Sequence, residues 1–271
     1  MIPLRFITAW QQQVPWRYSF QVEQDLLISR ALTEIYQIPL IHDKFAFRGG
    51  TALNKLFINP PARYSEDIDL VQLQVGPIGE AINAIQDVLN RWLGEPTVKR
   101  WQGRVTMIYR FESEAEPKLP GRLKIEINTQ EHFSCVAPIY KEFTVESKWF
   151  NDSARILTYE LDELAATKLK ALYQRKKGRD LFDMDLLIQR NELNLANVIN
   201  FFEQYVKQEN GQITRALFEK NLFEKINSQM FLTDMEPLLA EKNKWDALQA
   251  YEAVMKNCVS LLKGSPWKLA K

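Results

Sequence analysis

The sequence has little cysteine and little histidine. Its 271 residues include two cysteines, Cys135 and Cys258, and two histidines, His42 and His132. Two cysteines far apart favour buried thiols in a reducing compartment over a disulfide. The spacing of these residues does not suit a zinc site, so we interpret both histidines as structural or surface residues.

Strong net charge and long apolar runs are absent as well. The chain has 35 basic and 34 acidic residues and a net charge of +1, so any affinity for nucleic acid must come from local patches. No apolar run approaches the roughly 20 residues of a membrane span. The first residues, with Arg5 and three consecutive glutamines, lack a secretory apolar segment. These features predict a cytoplasmic globular protein of one or two domains, with no membrane partner.

An acidic pair, Asp67 and Asp69, stands at the start of an apolar run. Residues two apart in a strand point to the same face, with Cα atoms roughly 7 Å apart. Two carboxylates aimed at one point repel each other unless a cation lies between them, and Mg2+ prefers such oxygen ligands. The pair predicts a metal site. The alternative is two ordinary strand-edge or turn residues, because short acidic motifs also occur by chance.

A glycine turn precedes the acidic pair. Residues 45–48 predict a short apolar strand, and Gly49, Gly50 and Thr51 lead into a helix with one apolar face. Glycine permits close backbone approach, and the free N–H groups of a helix N-terminus bind anions. We therefore predict a phosphate-binding loop ahead of the metal-binding strand. An ordinary strand–helix turn capped by Thr51 is the alternative.

The remainder of the first half predicts mixed secondary structure. We expect two N-terminal helices in residues 3–38, a helix at 79–93, strands at 105–111 and 123–128, a loop at 112–121, and mixed strand signals at 133–158. Glu126 lies on the polar face of the strand at 123–128. It is either a third carboxylate beside the acidic pair or a solvent-facing residue.

The composition shifts near residue 155, and the chain is mostly helical from residue 161 onward. We predict a first domain of residues 1–155 and a helical second domain of residues 156–271. Helices are expected at 194–206, 214–230 and 243–262, followed by a polar tail at 266–271.

A lysine lies on the apolar face of the first helix in this second half. Lys168 is four residues from both Leu164 and Leu172, and Arg175 continues the line. A cation among apolar neighbours needs a partner or a function. The functional interpretation is a lysine aimed at a triphosphate, and the alternative is a side chain that covers core with its stem.

The residues that follow are basic. Between residues 168 and 190 there are seven Lys or Arg and three Asp, which is either a phosphate-binding surface or a solvated face. Gly178 suits a helix C-terminus and Asp180 suits the N-cap of the next helix. That capping interpretation accounts for Asp180 without any chemistry.

Taken in order, residues 49–53, 64–70 and 163–183 resemble the AbiEii-type nucleotidyltransferases. These are the toxins of type IV toxin–antitoxin pairs, including the mycobacterial MenT relatives, within the DNA polymerase β-like superfamily. The resemblance covers roughly residues 40–190 in four motifs. It implies an α+β fold, with a polymerase β-like core of a small mixed sheet and helices, followed by a helical C-terminal domain.

The resemblance also implies roles for particular residues. Asp67, Asp69 and Glu126 would bind Mg2+, with Mn2+ as an alternative, and Glu126 would accept the proton of the attacking hydroxyl. Lys168 would act with them as a catalytic residue by neutralising the triphosphate. The expected nucleotide-binding residues, which include the third and fourth motifs, are Gly49, Gly50, Thr51, Ser65, Lys168, Arg175, Arg179, Asp180 and Asp183.

The implied reaction is transfer of a nucleotide from an NTP to the 3′ end of tRNA, which blocks translation and growth. The resemblance further implies a cognate antitoxin and a place in phage defence. Two alternatives stay open at the level of the sequence. The acceptor is the hydroxyl of a protein or small molecule, or the chain is a non-catalytic nucleotide-binding protein.

Overall fold

The computed structural model describes residues 2–114, 118–240 and 245–268. Residues 115–117 of the expected loop, the first two residues of the helix expected at 243–262, and the end of the expected tail lie outside these ranges. The described chain divides into two compact units. The first holds the residues up to Tyr159 together with Ala240, and the second holds Glu160–Leu239 and residues 245–268.

The first unit combines helices with one seven-stranded sheet. Its elements are α1 Leu4–Trp10, α2 Ser19–Tyr36, α3 Pro39–His42, β1 Phe45–Arg48, α4 Gly49–Leu56, β2 Asp67–Gln72, α5 Gly79–Leu93, β3 Thr97–Trp101, β4 Arg104–Glu112, β5 Pro120–Asn128, β6 Ile139–Glu146 and β7 Asn151–Thr158.

The sheet is mixed, with strand order β3-β4-β5-β2-β1-β7-β6. The pairs β2–β5 and β1–β7 are parallel, and the remaining pairs are antiparallel. Alternation along β4 and β5 buries one face, because Met107, Tyr109, Leu123, Ile125 and Ile127 are inaccessible to solvent. The opposite face of these strands carries the polar residues.

Helix α2 holds the first unit together through buried polar groups. Asp25 accepts hydrogen bonds from Trp10 Nε1 at 2.9 Å and from Lys55 Nζ at 2.7 Å. Gln24 Nε2 donates to the carbonyl oxygen of Arg122 in β5 at 2.8 Å. A helix buried on nearly all sides needs such partners for its polar residues, since unpaired ones would destabilise the fold.

The secondary-structure elements that the structure describes in the second unit are all helices, joined by short loops and turns. They are α6 Leu161–Gln174, α7 Gly178–Arg190, α8 Leu195–Gln208, α9 Arg215–Ile226, α10 Gln229–Thr233, α11 Ala247–Asn257 and a 3-10 turn, Val259–Leu261. The predicted fold class, α+β followed by helices, is confirmed.

Two predictions of secondary structure need correction. Strand β3 was not predicted, because Thr97–Trp101 is a charged, almost fully exposed edge strand without an apolar face. The single helix expected at residues 214–230 is two helices, because Ser228 is extended and its N–H bonds to the carbonyl of Lys225.

Among the described residues, none of the helices combines the length and apolar character that crossing a bilayer requires. The two cysteines do not form a disulfide, and Cys258 is buried.

Candidate active site

Three carboxylates lie side by side on two parallel strands of the first unit. Asp69 of β2 is the register partner of Glu126 of β5, and Asp67 is the partner of Lys124. Paired residues project to the same face, and neighbouring strands are roughly 4.8 Å apart. The fold therefore brings Asp67, Asp69 and Glu126 together, as the family resemblance implies. We call these three residues the carboxylate cluster.

A lysine lies within the carboxylate cluster. The Nζ atom of Lys124 is 2.8 Å from Asp67 Oδ2 and 3.7 Å from Glu126 Oε2. Burial lowers the pKa of Lys124, but its hydrogen bond to Asp67 and the charges of all three carboxylates outweigh this and raise it. The ammonium is thus held charged, and it marks the place where the cluster favours a cation.

The carboxyl of Asp69 has a raised pKa. Burial, followed by the negative charges of Asp67 and Glu126, raises its pKa from 3.8 to about 6. Arg48 and Lys124 act in the opposite direction. Arg48 is the register partner of Asp69 on β1 and forms an ion pair with Glu131. A carboxyl in this state binds a proton or a second cation more tightly than an exposed one.

The glycine turn approaches the carboxylate cluster closely. Gly49 has φ +84°, and a Cβ atom there would lie 2.4 Å from Asp69 Oδ2. Helix α4 begins directly at Gly49 and has no side-chain cap. At Gly50 a Cβ would lie 2.2 Å from Nη2 of the buried Arg63. The first-turn N–H groups of a helix lack intrahelical partners, so this backbone can receive an anion beside the carboxylates.

The hydroxyls of Thr51 and Ser65 bond to each other. Thr51 Oγ1 donates to the carbonyl oxygen of Asp67 at 2.5 Å, and the Thr51 and Ser65 oxygens are 2.8 Å apart. Because a hydroxyl has one proton, Ser65 is the donor of that second bond. Both residues therefore fix α4 to the first residue of β2, and Thr51 is not the cap of its helix.

The donor set suits a hard divalent ion, but the side chains are not arranged around one. Among the residues that the structure describes, no three His, Cys, Asp or Glu side chains form a group that could hold a metal ion. In the carboxylate cluster, the ammonium of Lys124 makes the contacts that a bound cation would make. Three carboxylates around one positive charge are the oxygen chemistry that Mg2+ prefers, so the residues fit the metal once Lys124 withdraws.

The second unit brings together the residues of the later motifs. Lys168 Nζ is 2.8 Å from Asp183 Oδ2 and 3.3 Å from Asp180 Oδ1. Arg175 binds Asp180 through Nε at 2.6 Å and Nη2 at 2.8 Å. Both aspartates are fully buried, whereas the Arg175 side chain is half exposed. Lys168 is therefore a buried lysine with two carboxylate partners, and not a side chain that extends to solvent.

The capping interpretation of Gly178 and Asp180 is wrong. Helix α7 begins at Gly178 with Lys177 as its N-cap residue, and Asp180 lies inside the first turn with its carboxylate on Arg175 and Lys168. Gly178 is needed for another reason, because a Cβ there would lie 2.3 Å from the carbonyl oxygen of Phe231. The backbone N–H of Arg179, the next residue in the helix, donates to Asp234 Oδ2 at 3.2 Å.

Several residues at these sites were missed by the sequence analysis. Lys124, Arg48 and Arg104, whose Nη1 is 3.7 Å from Glu126 Oε1, surround the carboxylate cluster. Alternation along β5 already placed Lys124 on the same face as Glu126, so a signal for it existed. Lys225 had no such signal, because its partners are distant in the sequence. Its Nζ donates to the carbonyl oxygens of Leu172 and Tyr173, and burial lowers its pKa to about 8.

Comparison with known proteins identifies the family. The profile of the nucleotidyl transferase AbiEii toxin family, of type IV toxin–antitoxin systems, matches residues 30–254. No curated protein matches the chain. The fold is similar to MenT4, a nucleotidyltransferase toxin from Mycobacterium tuberculosis, at 14% identity and a TM-score of 0.68 over 97% of this chain and 91% of that one. It is also similar to JHP933 from Helicobacter pylori, at 16% identity and a TM-score of 0.56 over 89% and 91%.

These structural similarities concern the fold, whereas the family profile covers most of the sequence, including the glycine turn, the carboxylate cluster and the Lys168 region. The chain therefore belongs to the AbiEii family of nucleotidyltransferase toxins.

Proposed function

We propose that this toxin transfers a nucleotide from an NTP to the 3′-terminal hydroxyl of an RNA, with tRNA as the acceptor. The observation that carries the proposal is the carboxylate cluster, three acidic side chains on adjacent strands directly beside a glycine turn. Nucleotidyl transfer depends on neutralising charge and aligning the reacting groups, and this arrangement provides groups for both tasks.

In the proposed reaction, the acceptor oxygen forms a bond to the α-phosphorus. The bond from that phosphorus to the bridging oxygen of the β-phosphate breaks, and pyrophosphate leaves with the electron pair. Glu126, whose side chain is partly exposed beside Asp69, accepts the proton of the hydroxyl. The backbone N–H groups that follow Gly49 bind phosphate oxygens.

Asp67, Asp69 and Glu126 would hold the metal, for which we propose Mg2+, with Mn2+ as an alternative. When bound, the ion neutralises phosphate charge and lowers the pKa of the attacking hydroxyl. For it to bind, the ammonium of Lys124 must leave the space between Asp67 and Glu126. Lys124 is then available to another anion.

A nucleotide-binding role for the second unit rests on the resemblance of its motifs. We propose that Lys168, Arg175, Arg179, Asp180 and Asp183 form one nucleotide-binding group, in which the two aspartates orient the two cations that contact them. The family also implies an antitoxin partner. We propose that the toxin acts in the cytoplasm as part of phage defence.

The test is incubation of the purified protein with total tRNA, Mg2+ and each α-labelled NTP in turn. We expect label on RNA with one or more NTPs, and no label with Asp69→Asn. Label on protein or on a small molecule would contradict the acceptor. The absence of label on any acceptor, in a protein that still binds NTP, would favour a non-catalytic nucleotide-binding protein.

A further inference from the structure

The polar face of the sheet continues beyond the carboxylate cluster to an open edge. The register links Asp69 to Glu126, Glu126 to Thr106, and Thr106 to Lys99 on the edge strand β3. Directly opposed residues share a face, so these side chains form one row across four strands. The row spans three strand spacings, about 14 Å in total.

Basic residues dominate this outer part of the sheet. Four exposed cations point to the same face as Glu126, and an exposed tryptophan lies among them; together they are Lys99, Trp101, Arg104, Arg110 and Arg122. We call these five residues the basic face. The carboxylates of β3–β5 on this side are Glu126, in the cluster, and Glu112 at the far end, which pairs with Lys118.

The tip of the β3–β4 hairpin presents an aromatic ring and a cation together. Trp101 and Arg104 are register partners on either side of the two-residue turn Gln102-Gly103, in which Gly103 has φ +77°. The Arg104 guanidinium lies 5.1 Å from the centre of the Trp101 ring. Trp101 is 50% exposed and the Arg104 side chain 53%. A short hairpin with a glycine turn holds this pair in place.

We propose that the basic face binds the single-stranded end of a polynucleotide, with its 3′ hydroxyl directed to the carboxylate cluster. Cations spaced along a surface neutralise successive phosphates, and exposed aromatic rings stack on bases of any identity. The polynucleotide would run along the row from Lys99 to Asp69, with its 3′ end at Asp69. The inference rests on the proposed function, because it assigns the acceptor of that reaction to a surface.

The test measures RNA binding separately from transfer. A short fluorescein-labelled single-stranded RNA is titrated with protein, without NTP and with EDTA, at salt concentrations between about 50 and 200 mM. The variants are Trp101→Ala and the double variant Arg104→Ala/Arg122→Ala. The matched control is Arg100→Ala. Arg100 is an exposed arginine on β3, next to Trp101, and its side chain points to the opposite face of the sheet.

The arginine variant and the tryptophan variant should change RNA binding in different ways. The double arginine variant should bind at least about tenfold more weakly at low salt, and the slope of log K against log salt should fall by about 0.7 for each lost phosphate contact. Trp101→Ala should weaken binding at least about fivefold at every salt concentration, with an unchanged slope, because stacking is not ionic. Arg100→Ala should bind like the wild type.

The inference is overturned if the wild type does not bind this RNA, if the variants bind as tightly as the wild type, or if Arg100→Ala loses as much affinity. The labelled-NTP assay is run on the same proteins. Wild-type protein that labels no RNA contradicts the proposed function, whereas full RNA affinity in the variants of a protein that does label RNA contradicts this inference alone.

Discussion

At the scale of single residues, the position of Lys124 gives a testable consequence. Its ammonium contacts Asp67 and Glu126, where a metal would bind. Lys124→Met should therefore lower the dissociation constant for Mg2+ or Mn2+ by at least about tenfold, since a competing cation is removed. Isothermal titration calorimetry measures this. Lys99→Met removes the same charge from the same face two strands away, and an equal gain there would argue against direct competition.

Asp69 predicts a pH dependence of stability. Its pKa is about 6 in the folded protein, against an ordinary value of 3.8. Between these pH values the folded state binds more protons than the unfolded state, so the contribution of Asp69 falls as pH rises and is lowest above pH 6. Compared with the wild type, Asp69→Asn should gain up to about 3 kcal/mol of unfolding free energy above pH 6 and almost none below pH 4.

Denaturant unfolding of both proteins across this pH range measures the difference directly, because other titrating groups are common to the two. A constant difference at all pH values would mean that the burial and the neighbouring carboxylates of Asp69 do not raise its pKa.

At the scale of elements, the turn from β1 into α4 requires glycine. Gly49→Ala places a methyl group 2.4 Å from Asp69 Oδ2 at a residue with positive φ. We expect a loss of about 1–3 kcal/mol in unfolding free energy together with loss of nucleotide transfer. Gly79→Ala, at the first residue of α5 where a Cβ meets nothing within 4 Å, is the matched control and should leave both unchanged. Full activity in Gly49→Ala would contradict the close approach of Gly49 to the Asp69 carboxylate.

The pair of helices α6 and α7 depends on its buried ion pairs. Lys168→Met leaves Asp180 and Asp183 without one of their cations, so we expect a loss of about 3–5 kcal/mol in unfolding free energy. Lys176→Met, at an exposed position between the same helices, should change it by less than about 0.5 kcal/mol. If Lys168→Met abolished transfer but kept its stability, Lys168 would act on the nucleotide and not on the fold.

At the scale of the whole molecule, the fold should be independent of metal. The carboxylates of the cluster already have a cationic partner in Lys124, and no three-ligand metal group is present among the described residues. EDTA should therefore abolish nucleotide transfer and shift the melting temperature by less than about 2 °C, and Mn2+ or Mg2+ should restore transfer. Unfolding of the protein in EDTA, monitored by circular dichroism, would show that the fold depends on a bound metal.

The net charge of +1 also belongs to this scale. A nearly neutral molecule has no general attraction for nucleic acid, so its affinity must come from a surface where cations are concentrated. The basic face on β3–β5 is such a surface, and none of the sequence motifs contains its residues.

The sequence by itself determined the elements with strong local signals. The alternation of Leu123, Ile125 and Ile127 predicted β5 and placed Glu126 on its polar face, and the acidic pair and glycine turn were visible because each is local in the chain. The edge strand β3 was missed, since a solvated strand has no apolar pattern to detect.

Tertiary structure alone decided which of these residues meet. Parallel pairing of β2 with β5 sets Glu126 beside Asp69 and Lys124 beside Asp67, although the paired residues are 57 positions apart in the sequence. Packing of α7 on α6 turns Asp180 from an apparent cap into a partner of Lys168 and Arg175. The physical reason is the same in both cases. Local periodicity fixes the face of an element on which a side chain lies, but strand register and helix packing fix what that face contacts.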